Sequence, residues 1–160
     1  MPSWTTPDLC DDHPDDVRVL APGWLDFGGR EAFAGPVVTI ACFEDNSLVK
    51  ALVEEDGRGR VVVVDGGGSL RKALLGDQIA EQLAAKGWSG LVISGAVRDV
   101  EVLRTLDLGV RALGSVPLRT AKRGLGDRDV PVTITGVRLA PGDHLYADAT
   151  GIVVADHALT

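Results

Sequence analysis

Asp77 and the adjacent pair Arg98-Asp99 are the side chains of this 160-residue chain best suited to chemistry on a small anion. Arg98 and Asp99 close the stretch Gly95-Ala96-Val97-Arg98-Asp99, directly after the apolar run Gly90-Leu91-Val92-Ile93-Ser94. An apolar run without alternation reads as a strand buried on both faces, and open α/β sheets bind ligands beyond the carboxyl ends of such strands. There a guanidinium can grip a carboxylate through a fork of hydrogen bonds, and an aspartate can hold a hard divalent cation. Asp77 lies in Leu74-Leu75-Gly76-Asp77-Gln78-Ile79-Ala80, where Gly-Asp inside a helical stretch costs helix stability. The pair suits one helix ending at Gly76 and another capped by Asp77. The N–H groups of Gln78, Ile79 and their neighbours would then form a small anion site beside a carboxylate. Taken singly, each segment has a plainer reading: a kink with a capping aspartate, or a local ion pair with Asp99 capping a helix over residues 100–106. Taken together, two acids, one arginine and free helix N-termini converge from adjacent parallel strands, which a purely structural account does not require.

Other segments carry less. Asp65-Gly66-Gly67-Gly68-Ser69 follows a strand and precedes a helical stretch, so it reads equally as a tight turn with Ser69 as helix cap or as a ligand-facing loop. It lacks the G-x-G-x-x-G spacing and the acidic ribose partner of a dinucleotide fingerprint. Arg119, Lys122, Arg123 and Arg128 form a basic segment whose default reading is a solvated loop and whose minority reading is an anion-facing or subunit-bridging one. Asp143, Asp148 and Asp156 are candidate further acids, although Pro141-Gly142-Asp143 is a turn signal, as is Phe27-Gly28-Gly29-Arg30. His13, His144 and His157 lack ligand-like spacing, so any bound metal would be held mainly by oxygen, which favours Mg2+ or Mn2+. P-loop, HExxH, CxxC and G-x-S-x-G patterns do not occur.

The elements that must position these residues follow from periodicity and punctuation. Thr5-Thr6-Pro7 starts a short helix broken by Pro14. Residues 17–20 and 36–43 read as strands, 47–55 as a helix capped by Asp45 or Asn46, and 60–65 as a central strand. A helical stretch over 69–86, a strand over 90–94, a helix over 98–106 and a strand over 110–113 continue a parallel βαβ series. Residues 130–139 and 145–155 look like short strands joined by tight turns. The expectation is one α/β domain over residues 1–160 with a mixed sheet.

At 45% apolar residues the chain fits a single globular domain, and folding at this size buries roughly 70% of the extended surface. Sixteen basic against 23 acidic residues give a net charge of −7, which argues against nucleic acid as a direct partner. The acidic start lacks the basic and apolar stretches of a secretory signal, and no apolar run approaches a membrane span. A cytoplasmic protein with Cys10 and Cys42 free is expected.

Several segments in order resemble the RraA-like family, named for the regulator of ribonuclease E activity and including 4-hydroxy-4-methyl-2-oxoglutarate aldolases. They are Cys42-Phe43-Glu44-Asp45-Asn46, Asp65-Gly66-Gly67-Gly68-Ser69-Leu70, Gly76-Asp77, Gly95-Ala96-Val97-Arg98-Asp99, and Leu145-Tyr146-Ala147-Asp148 followed by Gly151-Ile152-Val153-Val154. The family's aldolases carry an aspartate, then twenty residues, then Arg-Asp, and Asp77, Arg98 and Asp99 match. The resemblance implies that Asp99 ligates a divalent metal, that Asp77 acts through water on that metal, and that Arg98 binds the pyruvyl group. It implies that backbone N–H groups from Gly76 through Gln78 to Ile79 hold the substrate carboxylate. It further implies a swivelling β/β/α sandwich assembled as a homotrimer or hexamer, acting as a lyase on a short 2-oxo acid by retro-aldol cleavage or oxaloacetate decarboxylation. The alternative it carries is a regulator that binds ribonuclease E or its RNA-helicase partner.

Overall fold

The computed structural model describes residues 2–160. Its architecture follows from the uninterrupted apolar run Val61-Val62-Val63-Val64, which forms β4 (Val61–Asp65) with all four valines fully buried. Val62 and Val64 enter one apolar cluster, Val61 and Val63 another on the opposite face. A strand with two apolar faces needs cover on both. On one face the cover is helical: α2 (Ser47–Ala51), α3 (Asp77–Ala85) and α4 (Val100–Leu103) contribute Val49, Leu83 and Leu103 to the first cluster. On the other, the hairpin of β9 (Val132–Ile134) and β10 (Val137–Leu139) contributes Val132, Ile134 and Leu139 to the second.

Around β4 the order is β3 (Phe33–Ala41), β4, β6 (Gly90–Val97), β7 (Gly109–Ser115), all parallel. Antiparallel strands extend both edges: β11 (His144–Ala147), β12 (Ile152–Ala155) and β1 (Arg18–Val19) beyond β3, and β2 (Leu25–Asp26) beyond β7. With β5 (Ala73–Leu75) on β6 and β8 (Asp127–Arg128) on β3, this is one ten-stranded mixed sheet. The expected mixed α/β sandwich is the observed fold. Helix α1 (Thr6–Asp12) starts at the Thr5 cap, whose hydroxyl accepts from the Asp8 N–H. No helix is long and apolar enough to cross a membrane among the described residues.

The helical stretch expected over 69–86 is corrected: only its second half, α3, is helical, and Ala73–Leu75 is a strand. The cause lies in strand length. β4 ends opposite Ser94, but β6 runs on to Val97, leaving backbone groups that need partners. β5 supplies them through Ala73↔Ala96 and Leu75↔Val97, and all three of its residues are buried. Ser69 consequently caps no helix; its hydroxyl donates to Glu44 Oε2 at 2.7 Å. The Gly66-Gly67-Gly68 turn folds back on β6, with the N–H groups of Gly66 and Gly68 donating to the Ser94 carbonyl, and positive φ at Gly67 and Gly68 explains the glycines. The helix expected over 98–106 shortens to Val100–Leu103 because Asp99 is left-handed, at φ 55°. The helix expected over 47–55 gives way after Ala51 to a 3₁₀ turn over Leu52–Glu54.

One buried carboxylate fixes the loop that follows β7. Asp45 Oδ1 accepts from the Ser47 N–H (2.9 Å) and hydroxyl (2.6 Å), while Oδ2 accepts from the Arg123 N–H at 2.6 Å. The Gly124 N–H donates in turn to Ser47 Oγ. Desolvation pushes the Asp45 pKa up, but the hydrogen bonds from Ser47, Arg123 and Leu125 outweigh it and bring it down to about 2. Farther along, the Arg128 guanidinium pairs with Glu55, so this part of the basic segment serves the fold.

Two outcomes follow. Ile93 is fully buried in β6, so Ile93→Ala should lower the unfolding free energy by roughly 2–5 kcal/mol in a urea titration. Because the folded pKa of Asp45 lies below its ordinary 3.8, its contribution is present above about pH 4 and lost as pH falls toward 2. The stability gap between the wild type and Asp45→Asn, followed by circular dichroism during denaturation, should therefore narrow over that interval.

Candidate active site at the carboxyl edge of the sheet

The pairing of β5 with β6 brings the start of α3 against the end of β6. Arg98 continues that pairing by donating its N–H to the Leu75 carbonyl at 2.9 Å. The chain then turns at Asp99, whose carboxylate swings back across Gly76. A Cβ on Gly76 would lie 2.8 Å from Asp99 Oδ2 and 3.3 Å from Arg98 Nε. A side chain at Gly76 would therefore displace the Asp99 carboxylate from this position, although the Gly76 backbone is extended and unstrained. Asp99 Oδ2 accepts from the Asp77 N–H at 3.0 Å. Asp99 thus caps α3 rather than its own short helix, where it makes no side-chain cap bond, correcting the expected cap.

Asp77 is the first residue of α3, and its Oδ1 accepts from the Gln78 N–H at 2.8 Å. Two of the expected anion-binding N–H groups therefore already face carboxylates, while the Ile79 N–H has no acceptor among the described residues. Arg98 lies with Nε 3.8 Å from Asp99 Oδ2 and donates through Nη1 to the Pro117 carbonyl at 3.3 Å. Both side chains of the Arg98-Asp99 pair keep more than a third of their surface exposed, which leaves them able to meet a ligand.

A cleft of about 250 Å³ opens over this junction. Gly76, Asp77, Gln78, Ile79 and Arg98 line it, so the structure brings together all five residues expected to contact substrate. Asp99 lines a second, shallower hollow of about 190 Å³ on the other side of Arg98, with Ser115, Val116 and Pro117. Asn46, Lys50, Arg119 and Lys122 also line this cleft. Arg119 and Lys122 of the basic segment thus border the cleft rather than open solvent alone. Lys50 and Asn46 escaped sequence reasoning, because an exposed helix lysine and a residue at a helix start carry no local mark of a cleft. Asn46 is buried; its Nδ2 donates to the Leu74 carbonyl, and its Oδ1 lacks a hydrogen-bond partner.

The remaining candidates lie elsewhere. Asp143 pairs with Arg18, Asp148 accepts from the N–H and hydroxyl of Thr6, and Asp156 pairs with His157. None of these three aspartates lines the cleft beside Arg98, and Asp148 lines a separate cavity of about 380 Å³ with Asp26, Glu31 and Arg111. Cys10 and Cys42 are free, and burial, aided by Asp45 and Asp65, pushes the Cys42 thiol up to about 12, removing it as a nucleophile at neutral pH. No cluster of three His, Cys, Asp or Glu side chains suited to a metal occurs among the described residues. A cation at Asp99 would therefore take most of its ligands from water or substrate.

The family model described as RraA-like, Aldolase/RraA, matches residues 6–154. A curated protein of Stutzerimonas stutzeri (strain A1501) named "Putative 4-hydroxy-4-methyl-2-oxoglutarate aldolase" is 58% identical over 98% of this chain and 97% of its own. Among solved structures, the RNA-processing inhibitor RraA from Thermus thermophilis superposes with a TM-score of 0.96 at 45% identity, covering 99% of this chain and 96% of the other. A Geobacillus kaustophilus protein described as an S-adenosylmethionine:2-dimethylmenaquinone methyltransferase gives 0.95 at 42%, covering 98% and 97%. The chain belongs to the RraA-like family.

Proposed function

We propose that this protein is a divalent-metal-dependent lyase that cleaves 4-hydroxy-4-methyl-2-oxoglutarate to two molecules of pyruvate, with oxaloacetate decarboxylation as a related activity. The observation that carries the reading is the meeting of Asp77, Arg98 and Asp99 across Gly76, with Asp77 and Arg98 in the cleft and Asp99 in the hollow that adjoins it at Arg98. The aldolase name of relatives at 57–58% identity supports it.

The residues fit a hard cation. Asp99 uses Oδ2 for the Asp77 N–H, and Oδ1 makes no hydrogen bond, so one oxygen is free to ligate. Mg2+ and Mn2+ suit a site of few protein oxygens because such ions retain several waters. When bound, the cation would supply positive charge where the enolate oxygen of pyruvate forms. The chain's own groups do the rest. Arg98 grips the pyruvyl end through its planar fork. The Ile79 N–H and the positive end of α3 face its carboxylate. Negative charge grows on the C2 oxygen as the C3–C4 bond breaks, and a guanidinium fixed there stabilises the transition state more than the ground state. Asp77, in the same cleft as Arg98, is placed to orient water or the C4 hydroxyl.

We also propose a homotrimer or hexamer. Phe43, Leu70, Leu118 and Leu125 are large, exposed apolar side chains in loops after β3, β4 and β7, and such surface favours association between subunits. The structural likeness to an RNA-processing inhibitor supports a second role, binding to a ribonuclease such as ribonuclease E or to its helicase. A pull-down with the purified nuclease tests that role.

Pyruvate release from 4-hydroxy-4-methyl-2-oxoglutarate should depend on added Mg2+ or Mn2+ and stop with EDTA. Asp99→Ala should abolish it. Arg98→Met should cost roughly 100- to 1,000-fold in kcat, the range for removing one transition-state donor. Circular dichroism serves as the folding control. Metal-independent turnover, or full activity of Asp99→Ala, would sink the reading.

A further inference from the structure

The two end strands of the ten-stranded sheet, β1 and β2, border one cavity of about 380 Å³. Residues 20–24 link those strands across the gap, and the link is fastened. The Leu20 N–H donates to the Ile152 carbonyl, the Ala21 N–H to Thr135 Oγ1, and the Trp24 Nε1–H to the Ala21 carbonyl. The cavity shares no lining residue with the cleft beside Arg98. Val19, Leu20, Trp24 and Ile152 give it an apolar lining, and Asp26, Glu31, Arg111 and Asp148 give it a charged one. That mixture, at that size, is the make-up of a small-molecule site.

Its charges do not balance, since one guanidinium stands against three carboxylates. Arg111 is only 4% exposed. Its Nη2 donates to the Glu31 and Asp148 carbonyls, whereas its Nη1 lies 2.9 Å from Asp26 Oδ1 and makes no hydrogen bond. A buried guanidinium calls for an opposite charge beside it, which accounts for Asp26 alone. Asp148 is satisfied by the chain itself. Burial pushes its pKa up, but hydrogen bonds from Thr6, Thr150 and Gly151 outweigh that and hold it below the usual carboxylate range. The Glu31 carboxylate has no such partners and forms no ion pair among the described residues. Burial raises the Asp26 pKa, Arg111 and the Gly28 N–H pull it back, and Glu31 adds to the rise, so the two carboxylates feel each other. Negative charge is thus left over on one side of the cavity.

We infer that this cavity binds an aliphatic ammonium ion, with Asp26 and Glu31 accepting from its head and Val19, Leu20, Trp24 and Ile152 packing on its stem. An ammonium group brings three donors and no acceptor, which suits carboxylates short of donors, and hydrogen bonds between charged partners are the stronger kind. The indole of Trp24 adds affinity for an organic cation within reach of its ring. A hard metal ion is the poorer occupant, because no three acids converge with metal-binding geometry among the described residues. The sign of the lining disfavours an anion.

Titration calorimetry and amide NMR spectra of the full-length protein test the site with pentylamine, using 1-pentanol as the uncharged compound with the same stem. The amine should bind about 10-fold or more tightly than the alcohol, as a charge-assisted contact allows. Amide shifts should centre on residues 23–26 and 150–152. Glu31→Gln leaves in place the backbone carbonyl that Arg111 uses, and it should weaken amine binding about 10-fold. Asp12→Asn, on the acidic helix α1, should leave binding unchanged, and so should Asp99→Ala, which keeps this site apart from the lyase reading. Equal affinity for amine and alcohol, shifts centred on the acidic residues 8–16, or undiminished amine binding in Glu31→Gln would overturn the site.

Discussion

The hydrogen bond from the Asp77 N–H to Asp99 Oδ2 joins the N-terminus of α3 to the end of β6, and the chemistry proposed for the cleft depends on that joint. It satisfies a helix donor that would otherwise be an orphan, and it orients a carboxylate whose second oxygen is free. Gly76 leaves room for it, since a Cβ there would lie 2.8 Å from Asp99 Oδ2. It also depends on β5, since Leu75 must pair with Val97 before Gly76 can lie against Arg98. A short strand without helical or alternating pattern is thus what delivers the two functional segments to each other.

That dependence explains which parts of the architecture could be read from residues alone. The central strands announced themselves because a run such as Val61 to Val64 has only one comfortable environment, between two apolar layers. The β-rich end was equally plain from its turn signals. β5 was not, because Ala73-Leu74-Leu75 suits a helix as well as a strand, and the choice was made by unpaired groups of β6 far away in sequence. The shortening of the helix after Arg98 has the same character. Asp99 takes a left-handed turn, which aspartate tolerates better than most residues, and there its carboxylate meets an N–H distant in sequence.

The site divides along the same line. Asp77, Arg98 and Asp99 were visible because charged residues at a glycine-marked break and at the end of a buried strand have few structural reasons to be there. The basic lining was half visible: Arg119 and Lys122 stood out as a reversal of sign, but Lys50 became part of the cleft only through the Asp45 clamp. Asp45 itself looked like a helix cap. Its carboxylate does serve the start of α2, through the Ser47 N–H and hydroxyl, and its other oxygen reaches the loop after β7.

Relatives of one fold carry the names of an aldolase, an RNA-processing inhibitor and a methyltransferase, and a shared scaffold cannot by itself choose among them. The side chains at the edge of the sheet can. Arg98 stands beside the Asp99 carboxylate and lines a cleft with Lys50, Arg119 and Lys122, a lining of the charge that the proposed substrate anion calls for. The glycine-rich turn after β4, where a nucleotide would be sought, spends the Gly66 and Gly68 N–H groups on the Ser94 carbonyl and lies outside the cleft lining. Binding a large partner and cleaving a small acid would place separate demands on this fold, and the proposed cleavage is the one that draws on Asp77, Arg98 and Asp99 together.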